Sequence, residues 1–264
     1  LPEGRAIDLD HVSFRYEGAA TDAISEVSLH LEPGRHYGLV GRTGSGKTTA
    51  LDVILGLLRP TSGEVRIGGE RLSARATAVW RRTVGYVPQE VFLLDASIRQ
   101  NIAFGEPDAT IDESRVERAA RIAALEEVLA DLPEGLDTEV GERGVRLSGG
   151  QRQRIGIARA LYHDPDIVFF DEGTSALDGE TEARVVRNLR EGGRMLVMVA
   201  HRLASIENAD EIFVFDRARV VARGTAAELE RESEVWRAIA QQGGADETAL
   251  SSSTPTPSAS TANP

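Results

Sequence analysis

At 264 residues, 41% hydrophobic and 27% charged, the chain can bury a sizeable core as one large domain or two small ones. A formal charge of −12 without a long basic run argues against a protein that binds nucleic acid by neutralising phosphates, though not against a local nucleotide site. The lack of cysteine excludes disulfides, zinc–thiolate centres and thiol catalysis, and no stretch approaches the roughly 18–20 apolar residues of a membrane helix.

The sequence starts at Leu1 with no signal peptide, as expected of a piece of a longer or processed polypeptide. Residues 6–16 (AIDLDHVSFRY) alternate apolar and polar side chains, the pattern of an edge or half-buried strand, and 23–31 repeats it before Glu32-Pro33-Gly34 turns the chain. Residues 36–40 read as a buried strand that runs into a glycine-rich loop at 41–46, and a helix is expected from 47 to about 58, ended by Pro60 and Gly63. The span from about 90 to 163 reads as mostly helical, with helical apolar spacing over 115–129. Short apolar runs at 167–170 and 195–199 suit central parallel strands covered on both faces. A hairpin is expected at 212–221 and a final helix at 226–242. The Ser/Thr/Pro/Ala-rich residues 243–264 are expected to be disordered.

Gly41-Arg42-Thr43-Gly44-Ser45-Gly46-Lys47-Thr48 matches the phosphate-loop pattern G-x-x-x-x-G-K-[ST] between a predicted strand and a predicted helix. Glycines let backbone N–H groups turn inwards around phosphate oxygens, and the positive end of the helix adds to the attraction. Lys47 would meet the terminal phosphates and the Thr48 hydroxyl Mg²⁺, with Thr49 next in the site. Of the 30 Lys and Arg residues, Lys47 is the only lysine. A codon bias explains the arginines. It does not explain one lysine kept at the position where a planar, forked guanidinium would not fit a phosphate nest.

Ile167-Val168-Phe169-Phe170-Asp171-Glu172 is an apolar strand ending in two carboxylates. Asp171 is suited to hold Mg²⁺ and Glu172 to act as general base on an attacking water. Alone the pattern is common; after a phosphate loop it is informative. Leu147-Ser148-Gly149-Gly150-Gln151 then opens a helix with a second anion-suited N-terminus.

Taken together, and continued by Arg152-Gln153-Arg154-Ile155-Gly156-Ile157-Ala158-Arg159-Ala160-Leu161, these segments resemble the ATP-binding cassette (ABC) family over roughly residues 7–242. The resemblance implies an α/β P-loop NTPase (RecA-like) core with a mainly parallel sheet, an N-terminal antiparallel β-subdomain and a helical signature-motif subdomain at about 90–163. It implies an ATP-binding domain at 1–242 before the tail, with ATP and Mg²⁺ as ligands. By the same resemblance, Tyr16 would stack on adenine, Gln89 would reach Mg²⁺, Ser175-Ala176-Leu177-Asp178 would communicate between two sites, and His201 would contact the γ-phosphate. Ser148, Gly150 and Gln151 would complete the ATP site of a second cassette, in a homodimer with two competent sites. Gly173 departs from the family's usual alanine, and extra backbone freedom beside the base is expected there.

Two kinds of cassette compete: the engine of a membrane exporter, and a soluble ATPase acting on DNA repair, chromosomes or ribosomes. About a hundred residues between Thr48 and Leu147 leave no room for a long coiled coil, and the acidic charge disfavours nucleic acid. Residues 87–105, the Leu1-Pro2-Glu3-Gly4 linker and the loop 138–144 resemble exporter half-transporters; an importer subunit matches less well. The expected partner is therefore a transmembrane domain, in the same polypeptide, at the cytoplasmic face of the cell membrane. Residues 92–105 are similar to those of lipid-linked oligosaccharide flippases and their relatives.

Overall fold

The structure is a computed structural model that describes residues 5–200 and 202–241, with Arg143 described by its backbone alone. The Leu1–Gly4 linker, His201 and the tail at 243–264 lie outside the described residues.

Two sheets organise the chain. β1 (Ile7–Phe14), β2 (Ile24–Leu31), β4 (Ser62–Ile67) and β5 (Glu70–Arg71) form an antiparallel sheet in the order β2-β1-β4-β5. β3 (His36–Gly41), β6 (Val84–Val87), β7 (Ile167–Asp171), β8 (Met195–Val199), β9 (Glu211–Asp216) and β10 (Arg219–Gly224) form the second, in the order β10-β9-β3-β8-β7-β6. Its neighbours run parallel except for the β9–β10 hairpin.

The unbroken apolar runs of β7 and β8 follow from this arrangement, because side chains alternate faces and both faces are covered. On one face Tyr37, Leu39, Phe169, Val197 and Phe213 join Ile7, Leu31 and Trp80 with Leu51 of α1 (Lys47–Ile54). On the other, Val40, Phe170, Met198 and Val214 pack against the helical layer. That layer comprises α3 (Ile98–Ile102), α4 (Glu113–Ile122), α5 (Glu126–Ala130), α6 (Gly149–Leu161) and α7 (Gly179–Glu191). Truncating a fully buried aromatic such as Phe169 costs about 3–5 kcal/mol in a core of this kind.

Three expected helices are shorter than their periodicity suggests. α1 stops at Ile54, because Gly56 takes the left-handed conformation (φ 68) and Leu57 N–H returns to Asp52 O at 2.8 Å. The helix expected over 115–129 is divided into α4 and α5 at Ala124, also left-handed (φ 56), whose carbonyl accepts from Arg154 Nη1 at 3.0 Å. That tertiary bond has no local sequence signal. The final helix is α8 (Ala226–Glu232) followed by a separate helical stretch over 234–241, broken at Ser233, whose hydroxyl accepts from Trp236 N–H at 3.1 Å. The elements from β4 to β6, including α2 (Ala74–Arg81), had no counterpart in the sequence reading.

Candidate functional site

The site forms at the C-terminal ends of β3, β6 and β7. β3 ends at Gly41, where an added Cβ would lie 2.3 Å from Phe215 O, so only glycine lets the loop pass the hairpin. Gly46 caps α1 with φ 107, and a Cβ there would lie 2.6 Å from Ala23 O. Gly46 has no side chain to cap α1, and no side-chain cap bond forms there among the described residues, as suits an N-terminus left for an anion. Between these glycines, Arg42 accepts from Ser45 N–H at 3.0 Å, and Thr43 and Gly44 form the exposed crest.

Lys47 is 5% exposed, and its Nζ donates to Gly41 O at 2.8 Å and Arg42 O at 3.2 Å. Burial lowers its pKa, while Glu172 and Asp171 pull it back up. The buried Ser45 hydroxyl has no partner among the described residues. A cradle that excludes Cβ atoms, an uncapped helix N-terminus, a buried ammonium and an orphaned hydroxyl together fit a polyphosphate.

Thr48 Oγ1 donates to Asp171 Oδ1 at 3.2 Å, joining the first turn of α1 to the end of β7. Glu172 follows in the left-handed conformation (φ 55), with its N–H held by Val199 O at 3.2 Å. Its Oε2 accepts from Gln89 Nε2 at 2.7 Å. Tyr16, 46% exposed, stands edge-on to Phe14, its hydroxyl 3.3 Å from Thr49 Oγ1. Contacts of Tyr16 with Thr49, Thr48 with Asp171 and Gln89 with Glu172 thus bring the phosphate loop, the acidic pair, Gln89 and Tyr16 together at one set of strand ends.

Ser148, Gly150 and Gln151 stand at the N-terminus of α6, whose Gly149 and Arg152 line one cavity with Gln89 and Ala176. Ser148 Oγ accepts from Gln151 N–H at 3.2 Å, and Gln151 Oε1 accepts from Ser148 N–H at 2.8 Å, a reciprocal capping box. A Cβ on Gly150 would lie 3.1 Å from Ala176 O, so the signature turn rests on the loop 174–178.

Gly173 corrects an expectation. Its φ is not positive, so the glycine supplies room and not backbone freedom: a Cβ would lie 2.6 Å from Val87 Cγ1 and 2.9 Å from Val87 O. Asp52 was missed. It sits half-buried one turn below Thr48, and burial, then Asp171, raises its pKa. Tyr86 is pushed up to about 12 by burial, then by Asp171 and Asp52. A count of i,i+4 from Thr48 would have found Asp52; Tyr86 had no comparable signal.

Known proteins share the fold and part of the sequence of this chain. The model of the ABC transporter family matches residues 24–175. An ATP-dependent lipid A-core flippase of Cupriavidus metallidurans is 45% identical over 235 residues, covering 87% of this chain and 40% of that protein. The cyclolysin secretion/processing ATP-binding protein of Bordetella pertussis is 46% identical over 222 residues, covering 83% and 31% respectively. Among solved structures, a bacterial Atm1-family ABC exporter with ATP bound superposes with a TM-score of 0.85 at 33% identity, covering 92% of this chain and 42% of the other. The chain therefore belongs to the ABC transporter family, as an ATP-hydrolysing cassette. It spans 40% or less of the length of these two curated relatives.

Proposed function

We propose that this chain is the ATPase engine of an exporter and that two copies, head to tail, enclose two ATP molecules. Each site would take Tyr16, the phosphate loop, Gln89, Asp171, Glu172 and His201 from one copy, and Ser148, Gly150 and Gln151 from the other. The observations that support this most are a phosphate loop and acidic pair gathered at one set of strand ends, and an anion-suited helix start, exposed at Ser148, whose side-chain bonds among the described residues stay within its own turn.

Thr48, Asp171 and Gln89 are the residues suited to Mg²⁺, with hard oxygen donors already converging at Thr48 and Asp171. When bound, the ion would neutralise charge on the phosphate oxygens. Lys47 holds the terminal phosphates by charge, and Glu172 takes the proton of the attacking water. Closure of the second copy excludes bulk water, and the loss of the γ-phosphate releases it.

The rest of the polypeptide would supply a transmembrane domain and hold the cassette at the cytoplasmic face of the membrane. Relatives of nearly equal identity are named for lipid A-core and for cyclolysin, so cargo choice lies outside the cassette. The similarity at 92–105 to lipid-linked oligosaccharide flippases is one of cassette lineage, and the choice between a lipid-linked glycan, a lipid and a peptide would fall to the transmembrane domain. The test is Mg²⁺-dependent ATP hydrolysis measured against protein concentration. The rate should rise more steeply than linearly, and E172Q should bind ATP but lose about 100-fold or more in turnover. Unimpaired turnover in E172Q would remove the base assignment.

A further inference from the structure

The loop 174–178 runs from the base-bearing turn into α7 and is exposed at Ser175, Ala176 and Asp178. Two side chains from different elements grip it. From α6, Gln153, 3% exposed, accepts from Ala176 N–H at 2.6 Å. From the segment after β8, Arg202 brings one nitrogen, Nη2, within reach of three acceptors: Thr174 O at 3.1 Å, Leu177 O at 3.1 Å and Glu182 Oε2 at 3.2 Å.

Glu182 lies in the first turn of α7, is 6% exposed, and its Oε1 has no hydrogen-bond partner among the described residues. A buried carboxylate with one unmet oxygen is a costly way to fill space. An apolar side chain would pack beside Val185 and Leu189 without that penalty. What the carboxylate does supply is a fixed anchor for Arg202, and through it for two carbonyls of the loop.

We propose that Arg202 is a positioning residue. It ties the segment that carries His201 to the loop 174–178, while Gln153 ties the same loop to the signature helix. A shift at the γ-phosphate end of one nucleotide site is thereby passed to the loop that lies beside the signature turn. The proposal rests on the two-copy reading above, in which that signature turn belongs to the other nucleotide site.

The test uses the whole chain with R202Q, R202K and, as a milder change to the anchor, E182Q. Without nucleotide, R202Q should speed hydrogen exchange at the Ala176 and Leu177 amides by about tenfold. R202K should stay near wild type, because one nitrogen facing three acceptors suits an ammonium. With Mg²⁺ and ATP, wild type should show a Hill coefficient above 1. R202Q should keep its ATP affinity within about twofold, lose about tenfold in kcat and fall to a Hill coefficient of 1, with R202K restoring cooperativity and E182Q intermediate. Wild-type cooperativity in R202Q, a loss confined to ATP affinity, or unchanged exchange at the loop would overturn the role of Arg202. A wild type without cooperativity would instead overturn the two-copy reading and the coupling with it, while faster exchange in R202Q would still support the grip on the loop.

Discussion

Gln89 and Glu172, 83 residues apart in sequence, meet through a 2.7 Å hydrogen bond in which the amide Nε2 donates to the carboxylate Oε2. The bond joins the end of β6 to the turn after β7, and Gly173 makes it possible by leaving Val87 room to lie against that turn. Replacing Gln89 by alanine should lower kcat by about tenfold while MgATP affinity stays within about threefold, since the amide bonds the base, and Thr48 and Asp171 remain as the other groups suited to Mg²⁺. Equal losses in both, read from steady-state kinetics and equilibrium binding, would contradict this.

Lys47→Arg should lose most of its activity although the charge is kept. Nζ is buried against two loop carbonyls, and a planar guanidinium is too large for that nest. Isothermal titration with MgATP should show affinity weaker by about tenfold or more. Wild-type affinity and turnover would refute the argument from size.

Two glycines of the phosphate loop should respond differently to alanine. Gly44 has φ 77 but open space around a Cβ, so G44A should cost about 1 kcal/mol, for strain alone. Gly41 combines φ 155 with a contact of 2.3 Å to Phe215 O, so G41A should cost about 3 kcal/mol or more. Urea unfolding of the two variants measures the difference, and equal midpoints would contradict the packing account.

His36 gives the protein a pH dependence with a defined sign. It is 2% exposed, and burial, with Arg190 adding, lowers its pKa to about 4. The folded chain holds it neutral, whereas the unfolded chain takes up a proton at the ordinary value near 6.5. The contribution of His36 is therefore whole above about pH 6.5 and is lost as pH falls towards 4, by about 3 kcal/mol in all. H36Q should lose less stability than wild type between pH 7 and pH 4.5 in urea titrations. Parallel losses would show that His36 is not the group responsible.

Much of this was legible in the sequence because it is local. The loop from Gly41 to Thr48 announces itself by spacing, and the runs at 167–170 and 195–199 by unbroken apolarity. The hairpin expected at 212–221 is present, although Arg217 and Ala218 turn it in the left-handed conformation without a glycine. What escaped depends on partners distant in sequence. Ala124 ends α4 without a glycine because Arg154 takes its carbonyl. Ser233 reads as one more polar residue in a helix until Trp236 is seen to use it as a cap. Arg202 and Glu182 meet only because α7 brings them together, and Gly173 looks like flexibility until Val87 is placed against it.

The central claim is that each ATP site needs two copies, and mixing two inactive variants tests it most directly. A chain with S148R keeps Glu172 but has a blocked signature turn; a chain with E172Q keeps Ser148 but lacks the base. Each alone should be nearly inactive, and an equal mixture should recover about a quarter of wild-type ATPase, since half the dimers are mixed and each holds one complete site. No recovery on mixing, or full activity in S148R alone, would contradict the composite site.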